Sequence, residues 1–344
     1  MSPADLIDLF ESPSAPGGGE SVSSWRDDEL VKAKGYLPMA GLKDATKVAL
    51  LLNQPLLLTG EPGTGKTEYA YYVSLRLGLR PPLIFETKST STARDLFYTY
   101  DALGRFQDAQ LGGSNSINQL DYLTYNALGV AILQSNDEKV VKQWLPVNFG
   151  HIGAQRSVIL IDEIDKAPRD FPNDILNEIE YMYFKINEIR DPATHQVPRV
   201  EIAQKNRPVV IITSNSEKHL PAAFLRRCIY YNIPFPEGDD LTRIVLSRLK
   251  HFDNDGTWLA NAIRFFSKLR EPNNGLSKRP ATAELLGWLK VVYKKSQNSK
   301  VTFQGLGKEF LELSLSALLK NVSDQQIGKA LLEKWLQEER VRQR

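Results

Sequence analysis

The most specific chemistry in the chain lies in one unbroken run, Gly60-Glu61-Pro62-Gly63-Thr64-Gly65-Lys66-Thr67. Its spacing is G-x-x-x-x-G-K-[ST], a loop that wraps phosphate. Glycines permit the tight path that turns successive backbone N–H groups inward. A helix starting at the loop adds its positive N-terminal end. Lys66 is placed to reach the β- and γ-phosphates of a nucleotide, and the Thr67 hydroxyl to ligate magnesium. The second constellation is Val158-Ile-Leu-Ile-Asp162-Glu163-Ile-Asp165, an apolar run ending in acids. A buried strand delivers such acids to the carboxyl edge of a sheet, where a phosphate loop also lies. Asp162 is expected to hold magnesium, directly or through water, and Glu163 to polarise an attacking water. Two acids are needed because one faces the metal and the other the nucleophile. Asp165 reads as the cap of the next helix.

Three weaker signals follow in chain order. Val209-Val-Ile-Ile-Thr-Ser214-Asn215 is another apolar run ending in polar residues. Asn215 is a candidate to orient the water; an Asx turn is the plain alternative. Leu225-Arg226-Arg227-Cys228 offers a guanidinium to a transferring phosphoryl group across a subunit boundary, with Arg227 preferred and Arg226 as substitute. A surface pair of basic residues is the alternative. Ser277-Lys278-Arg279-Pro280 opens a later helix, and Arg279 either contacts the γ-phosphate or merely flanks that helix.

The elements that must position these residues are legible around them. Pro55–Thr59, Leu83–Glu86, Val158–Ile161, Val209–Thr213 and Ile229–Ile233 are short apolar runs, with helical spacing at Ala45–Asn53 and Thr67–Leu77. Continuous apolar strands separated by helices imply a doubly wound α/β domain with a parallel sheet covered on both faces. After Pro234-Phe-Pro236 only helical spacing remains, so the expected organisation is a 25–237 α/β core and a 238–344 small all-helical domain. Residues 1–24 read as a flexible tail: residues 2–10 have the pattern of a short amphipathic helix, either frayed or docking on a partner. A Pro, Gly and Ser-rich linker follows it. Insertions are expected within 87–150 and at about 183–205, the latter a hairpin around Asp191-Pro192. Phe97, Tyr98 or Tyr100 either line a pore or pack their insert onto the core.

Composition narrows the function classes. The 344 residues are 42% hydrophobic and 24% charged, which fits a folded two-domain protein rather than a disordered chain. A net charge of +2 lacks the basic excess of a phosphate-backbone binder, so nucleic acid is disfavoured as partner. Cys228 is the single cysteine, which excludes an intramolecular disulfide and any site of several thiolates. The acidic N-terminus lacks a signal-peptide pattern and no apolar run is long enough to span a bilayer, so the expectation is a cytoplasmic protein without membrane insertion.

Taken in order, the phosphate loop, Ile161-Asp-Glu-Ile-Asp-Lys-Ala-Pro168, the strand ending at Asn215, Leu220-Pro-Ala-Ala-Phe-Leu-Arg-Arg227 and Ser277-Lys-Arg-Pro-Ala-Thr-Ala-Glu-Leu-Leu286 resemble the AAA+ ATPase superfamily, most closely its MoxR-type members. The resemblance covers about 36–290. It implies a P-loop five-stranded sheet of order 5-1-4-3-2 with a helical lid domain. It also implies ATP and Mg²⁺ as cofactors, and a homo-oligomeric, usually hexameric ring. The implied activity is ATP hydrolysis that activates or remodels a protein client, often a von Willebrand factor A-domain protein. A nucleotide-gated scaffold with little turnover and a DNA-dependent motor are the alternatives. Cys228 stands where the family has Phe after the finger arginine.

Overall fold

Alternation along short apolar strands builds the central sheet. The computed structural model describes residues 2–12, 25–110, 118–191, 195–216, 220–249, 256–299 and 302–342. The chain divides into two compact units, one of residues 1–60 and 66–233, the other of 61–65 and 234–344. In the first unit, β1 (Leu56–Thr59), β2 (Leu83–Glu86), β5 (Val158–Asp162), β8 (Val209–Thr213) and β9 (Ile229–Asn232) form one sheet. Its order is β2-β5-β8-β1-β9, and every pair is parallel. Numbered one to five along the chain and read from the β9 edge, that order is 5-1-4-3-2.

Because successive side chains point to opposite faces, each of the three inner strands β1, β5 and β8 feeds two cores. Leu56, Leu58, Val158, Leu160 and Ile211 pack with Tyr69, Ala70 and Val73 of the helix Lys66–Arg76. Leu57, Ile159, Ile161, Val210 and Ile212 pack on the other face with Ile132 of the helix Ala127–Ser135 and Ile175 of the helix Phe171–Tyr181. Burial on both faces is why these strands read as unbroken apolar runs.

Two small antiparallel pairs stand beside the sheet: β3 (Tyr98–Tyr100) with β4 (Leu123–Tyr125), and β6 (Tyr183–Lys185) with β7 (Arg199–Glu201). The second is the hairpin expected at about 183–205; Pro192 of its turn lies outside the described residues. The two pairs pack on each other. Phe97 stacks on Phe184 with ring centroids 5.2 Å apart, and the Tyr98 hydroxyl donates to Glu188 Oε2 at 2.8 Å. Phe97 and Tyr98 are therefore core residues, and the pore reading fails for both.

The reading of residues 1–24 as a flexible tail needs correction at residues 3–11; residues 13–24, the expected linker, lie outside the described residues. Residues Pro3–Glu11 form a helix whose N-terminus is closed by a capping box: Ser2 Oγ accepts from the Asp5 N–H, and Asp5 accepts from the Ser2 N–H. Those Ser2 hydrogen bonds, the backbone one foremost, hold the Asp5 carboxyl below its ordinary pKa. Leu6 and Phe10 lie on one face and are buried in the core that holds Leu42, Tyr69 and Val73. Arg76 then closes the C-terminal end by donating to the Phe10 carbonyl oxygen at 2.8 Å. The helix is docked on its own chain. Phe10→Ala should cost this docking about 3 kcal/mol, the usual scale for deleting a buried ring. Hydrogen exchange should then quicken in 3–11 while the β1 amides keep their protection; equal exchange in the variant and wild type would refute the anchor.

The second unit is helical: Gly238–Arg248, Gly256–Arg270, Thr282–Ser299, Lys308–Ser314 and Val322–Arg342. Its core gathers Trp288, Phe265, Phe303 and Trp335, with Phe303 meeting Trp288 and Trp335 edge-on. Among the described residues no helix is long and apolar enough to cross a membrane.

Candidate active site

Parallel strands bring their C-terminal ends to one edge, and Thr67, Asp162, Glu163 and Asn215 collect there, whereas Arg226 and Arg227 precede β9 and so lie at the other end of a parallel strand. The loop after β1 bends through Gly60, Gly63 and Gly65 with φ of 142°, 78° and 86°, conformations that an L side chain resists. Gly63 has a second reason to lack a side chain: a Cβ there would lie 2.6 Å from Ala281 Cβ, both in the second unit. Thr64 Oγ1 donates to the Glu61 carbonyl oxygen at 2.9 Å, while Glu61 and Pro62 are exposed. The Glu61 carboxylate meets Arg270 at 2.5 Å and Arg279 at 3.9 Å, again within the second unit. Arg279 thus reaches a phosphate-loop side chain.

Lys66 opens the helix Lys66–Arg76 and is buried, its Nζ donating to the Gly60 carbonyl oxygen at 2.8 Å. Burial lowers its pKa, against the opposing pull of Asp165, Asp162 and Glu163. Thr67 Oγ1 lies 3.1 Å from each Asp162 carboxylate oxygen. A hydroxyl and a carboxylate side by side are hard oxygen donors suited to Mg²⁺, which takes a few protein oxygens and completes its shell with water and phosphate. The residues present therefore fit the ion.

Glu163 follows β5 in the left-handed region, φ 55° and ψ 52°, rare for a residue with a long side chain. Its carboxylate is ion-paired to Lys166 and lies 3.5 Å from Asn215 Nδ2. Asn215 is thus beside Glu163, as a water-orienting role requires. Asp165 does not cap a helix. It sits in the short turn Ile164–Lys166 and accepts from the Ser214 hydroxyl at 3.1 Å and the Asn215 N–H at 3.0 Å. Helix capping is local, whereas this contact joins residues some 50 positions apart.

Arg226 and Arg227 are exposed at the end of the short helix Ala222–Leu225, before β9. Among the described residues neither guanidinium bonds to the Asp162 or Glu163 carboxylates. Cys228 is buried, and burial pushes its thiol up to about 12, which removes it as a nucleophile near neutral pH. Sequence reading passed over Thr213, whose hydroxyl touches both acids, and Lys166, whose only signal was its spacing from Glu163.

Together these groups can cradle a polyphosphate, hold a divalent cation and polarise a water. Residues 55–228, half of the chain, match the family model described as an AAA domain of the dynein-related subfamily. No curated protein matches the chain. Among solved structures, three single-substitution variants of Thermotoga maritima RuvB are similar at 16% identity, with TM-scores of 0.42, 0.41 and 0.44. These matches cover 83%, 83% and 89% of this chain and 68%, 68% and 74% of those chains. Likeness at that level carries no argument about reaction or partner.

Proposed function

Because the chain belongs to the AAA domain family, dynein-related subfamily, we propose that it is a ring-forming ATP hydrolase that remodels or activates a protein client in the manner of MoxR-type ATPases. Membership itself supports ATP-driven activity and oligomeric rings in general. The observation that carries the finer reading is the meeting of Thr67, Asp162, Glu163 and Asn215 at one sheet edge.

In this reading the phosphate loop and Lys66 bind the triphosphate. Thr67 and Asp162 would hold magnesium, which when bound would supply positive charge against the phosphate oxygens. Glu163 takes the proton of the attacking water, and Asn215 fixes where that water sits. Asp162 faces the metal side and Glu163 the water, so the adjacent acids divide the work. Arg227, or Arg226 in its place, is exposed and serves a neighbouring subunit's nucleotide. Arg279 answers to the γ-phosphate. The client is of the kind the MoxR resemblance implies, a von Willebrand factor A-domain protein, and the setting is the cytoplasm.

The test is ATP turnover against protein concentration, with light scattering on the same samples. Turnover should rise more than linearly with concentration until assembly is complete, because the finger comes from a neighbour. Arg227→Ala should assemble and yet turn over about 1,000-fold more slowly, the scale of losing an arginine finger. A chain that binds ATP but neither assembles nor turns over would instead be a nucleotide-gated scaffold. DNA binding with a steep salt dependence would move the reading to a DNA motor.

A further inference from the structure

The ends of β5 and β8 are stitched together by side-chain hydrogen bonds centred on Thr213 and on Asp165, and the first of these centres is a single hydroxyl. The strands pair in parallel, Leu160 opposite Ile211 and Ile161 opposite Ile212, which carries Asp162 alongside Thr213. Thr213 is fully buried. Its Oγ1 donates to Asp162 Oδ1 at 2.5 Å and accepts from the Glu163 N–H at 2.8 Å. A threonine hydroxyl has one proton to give and lone pairs to accept with, so both capacities are engaged here. Beside it, Asp165 accepts from the Ser214 hydroxyl and the Asn215 N–H.

The Glu163 N–H is the group that needs this arrangement. Glu163 holds a left-handed conformation without being glycine, and such conformations persist only where their surroundings fix them. The Thr213 oxygen supplies the acceptor for that turn. Its proton meanwhile fixes Oδ1 of the carboxylate that Thr67 also contacts. Asp162 orientation and Glu163 presentation are therefore set by the same atom.

We propose that Thr213 is a positioning residue for hydrolysis, coupling the metal-holding acid to the water-polarising acid. The inference rests on the ATPase reading of this site. Valine at this position keeps the shape and removes the hydroxyl, leaving the Glu163 N–H without its acceptor and Asp162 without a donor. Serine keeps the hydroxyl and loses only a methyl.

The experiment compares full-length wild type, Thr213→Val and Thr213→Ser. Nucleotide binding without metal is followed with a fluorescent ATP analogue. Mn²⁺ affinity in the presence of a non-hydrolysable ATP analogue is followed by electron paramagnetic resonance, and steady-state ATP turnover is measured alongside. Thr213→Val should bind metal-free nucleotide as wild type does but hold Mn²⁺ about tenfold more weakly, as losing an outer-shell partner does. Its kcat should fall about 100-fold with little change in KM for ATP, the pattern of a lost transition-state contact. Thr213→Ser should recover both. Wild-type Mn²⁺ affinity and kcat in Thr213→Val would overturn the inference, as would a serine variant as defective as the valine one. If wild type itself turns over no ATP, the hydrolytic reading fails and the Mn²⁺ comparison decides the role of Thr213 alone. Should Thr213→Val not fold, Thr213→Ala replaces it and the same outcomes decide.

Discussion

Glu163→Gln should yield a protein that binds ATP and assembles as wild type does, yet turns over at least about 100-fold more slowly, the scale of removing a general base. The two side chains have the same shape, so what changes is the ability to accept a proton. One carboxylate oxygen of Glu163 faces Asn215 Nδ2 and the other pairs with Lys166. The glutamine carbonyl oxygen can keep the Asn215 contact, whereas the Lys166 pair is lost. That pair lies on exposed side chains, 40% and 56% accessible, and exposed pairs contribute little to stability. The left-handed backbone at 163 is held by Thr213 rather than by the side chain, so the substitution leaves it in place. Analogue binding and single-turnover hydrolysis separate the effects. A glutamine variant that turns over within threefold of wild type would remove Glu163 from the role of base and direct attention to Asp165.

How much of this site was legible depends on the range of the interactions that make it. The phosphate loop is a local object: glycine conformations, a lysine and a hydroxyl are needed within one turn of chain, and the residues at 60–67 supply each. The sheet strands are nearly as plain, because burial on both faces demands apolar residues without interruption, as in Val158–Ile161 and Val209–Ile212. Strand order is different. It entered with the family resemblance, since parallel neighbours such as β1 and β8 lie far apart in sequence and nothing in either run names its partner.

What local pattern leaves open is decided by partners distant in the chain. Asp165 was assigned to the nearest helix, but its partners are at the end of another strand. Phe97 and Tyr98 have a composition equally suited to a pore or a core, and only Phe184 from the second insertion decides for the core. β3 and β4 are three residues each and pair across a long loop, too short to show a period. The first helix is legible as an amphipathic pattern at 2–10, but its docking is not, because Leu42, Tyr69 and Val73 that bury Leu6 and Phe10 lie far along the chain. Thr213 carried no signal beyond being a polar residue where an apolar strand ends.

Lys66→Ala should abolish the thermal stabilisation that ATP confers while leaving the nucleotide-free protein about as stable as wild type. The two halves of this expectation come from opposite sides of one balance. Without nucleotide, Lys66 is buried beside Asp162, Glu163 and Asp165, and its depressed pKa means that their attraction does not make good the loss of water. A buried charge so placed adds little net stability, and exchanging it for an apolar side chain can be neutral. With nucleotide the balance reverses, because the triphosphate brings negative charge against a cation that has already shed its water. Removing one partner of such a buried pair costs roughly 2–5 kcal/mol, about 30- to 5,000-fold in affinity. ATP stabilises the folded chain by RT ln(1 + [ATP]/Kd), so a loss of that size brings the shift near zero at concentrations that saturate wild type. Lys66→Arg should behave the same way, because the planar guanidinium cannot take the place of a compact ammonium donating to the Gly60 carbonyl oxygen at 2.8 Å. The measurement is melting temperature with and without Mg²⁺-ATP for the three proteins. An undiminished ATP shift in Lys66→Ala would mean that nucleotide binds elsewhere and that the loop at 60–67 is not its site.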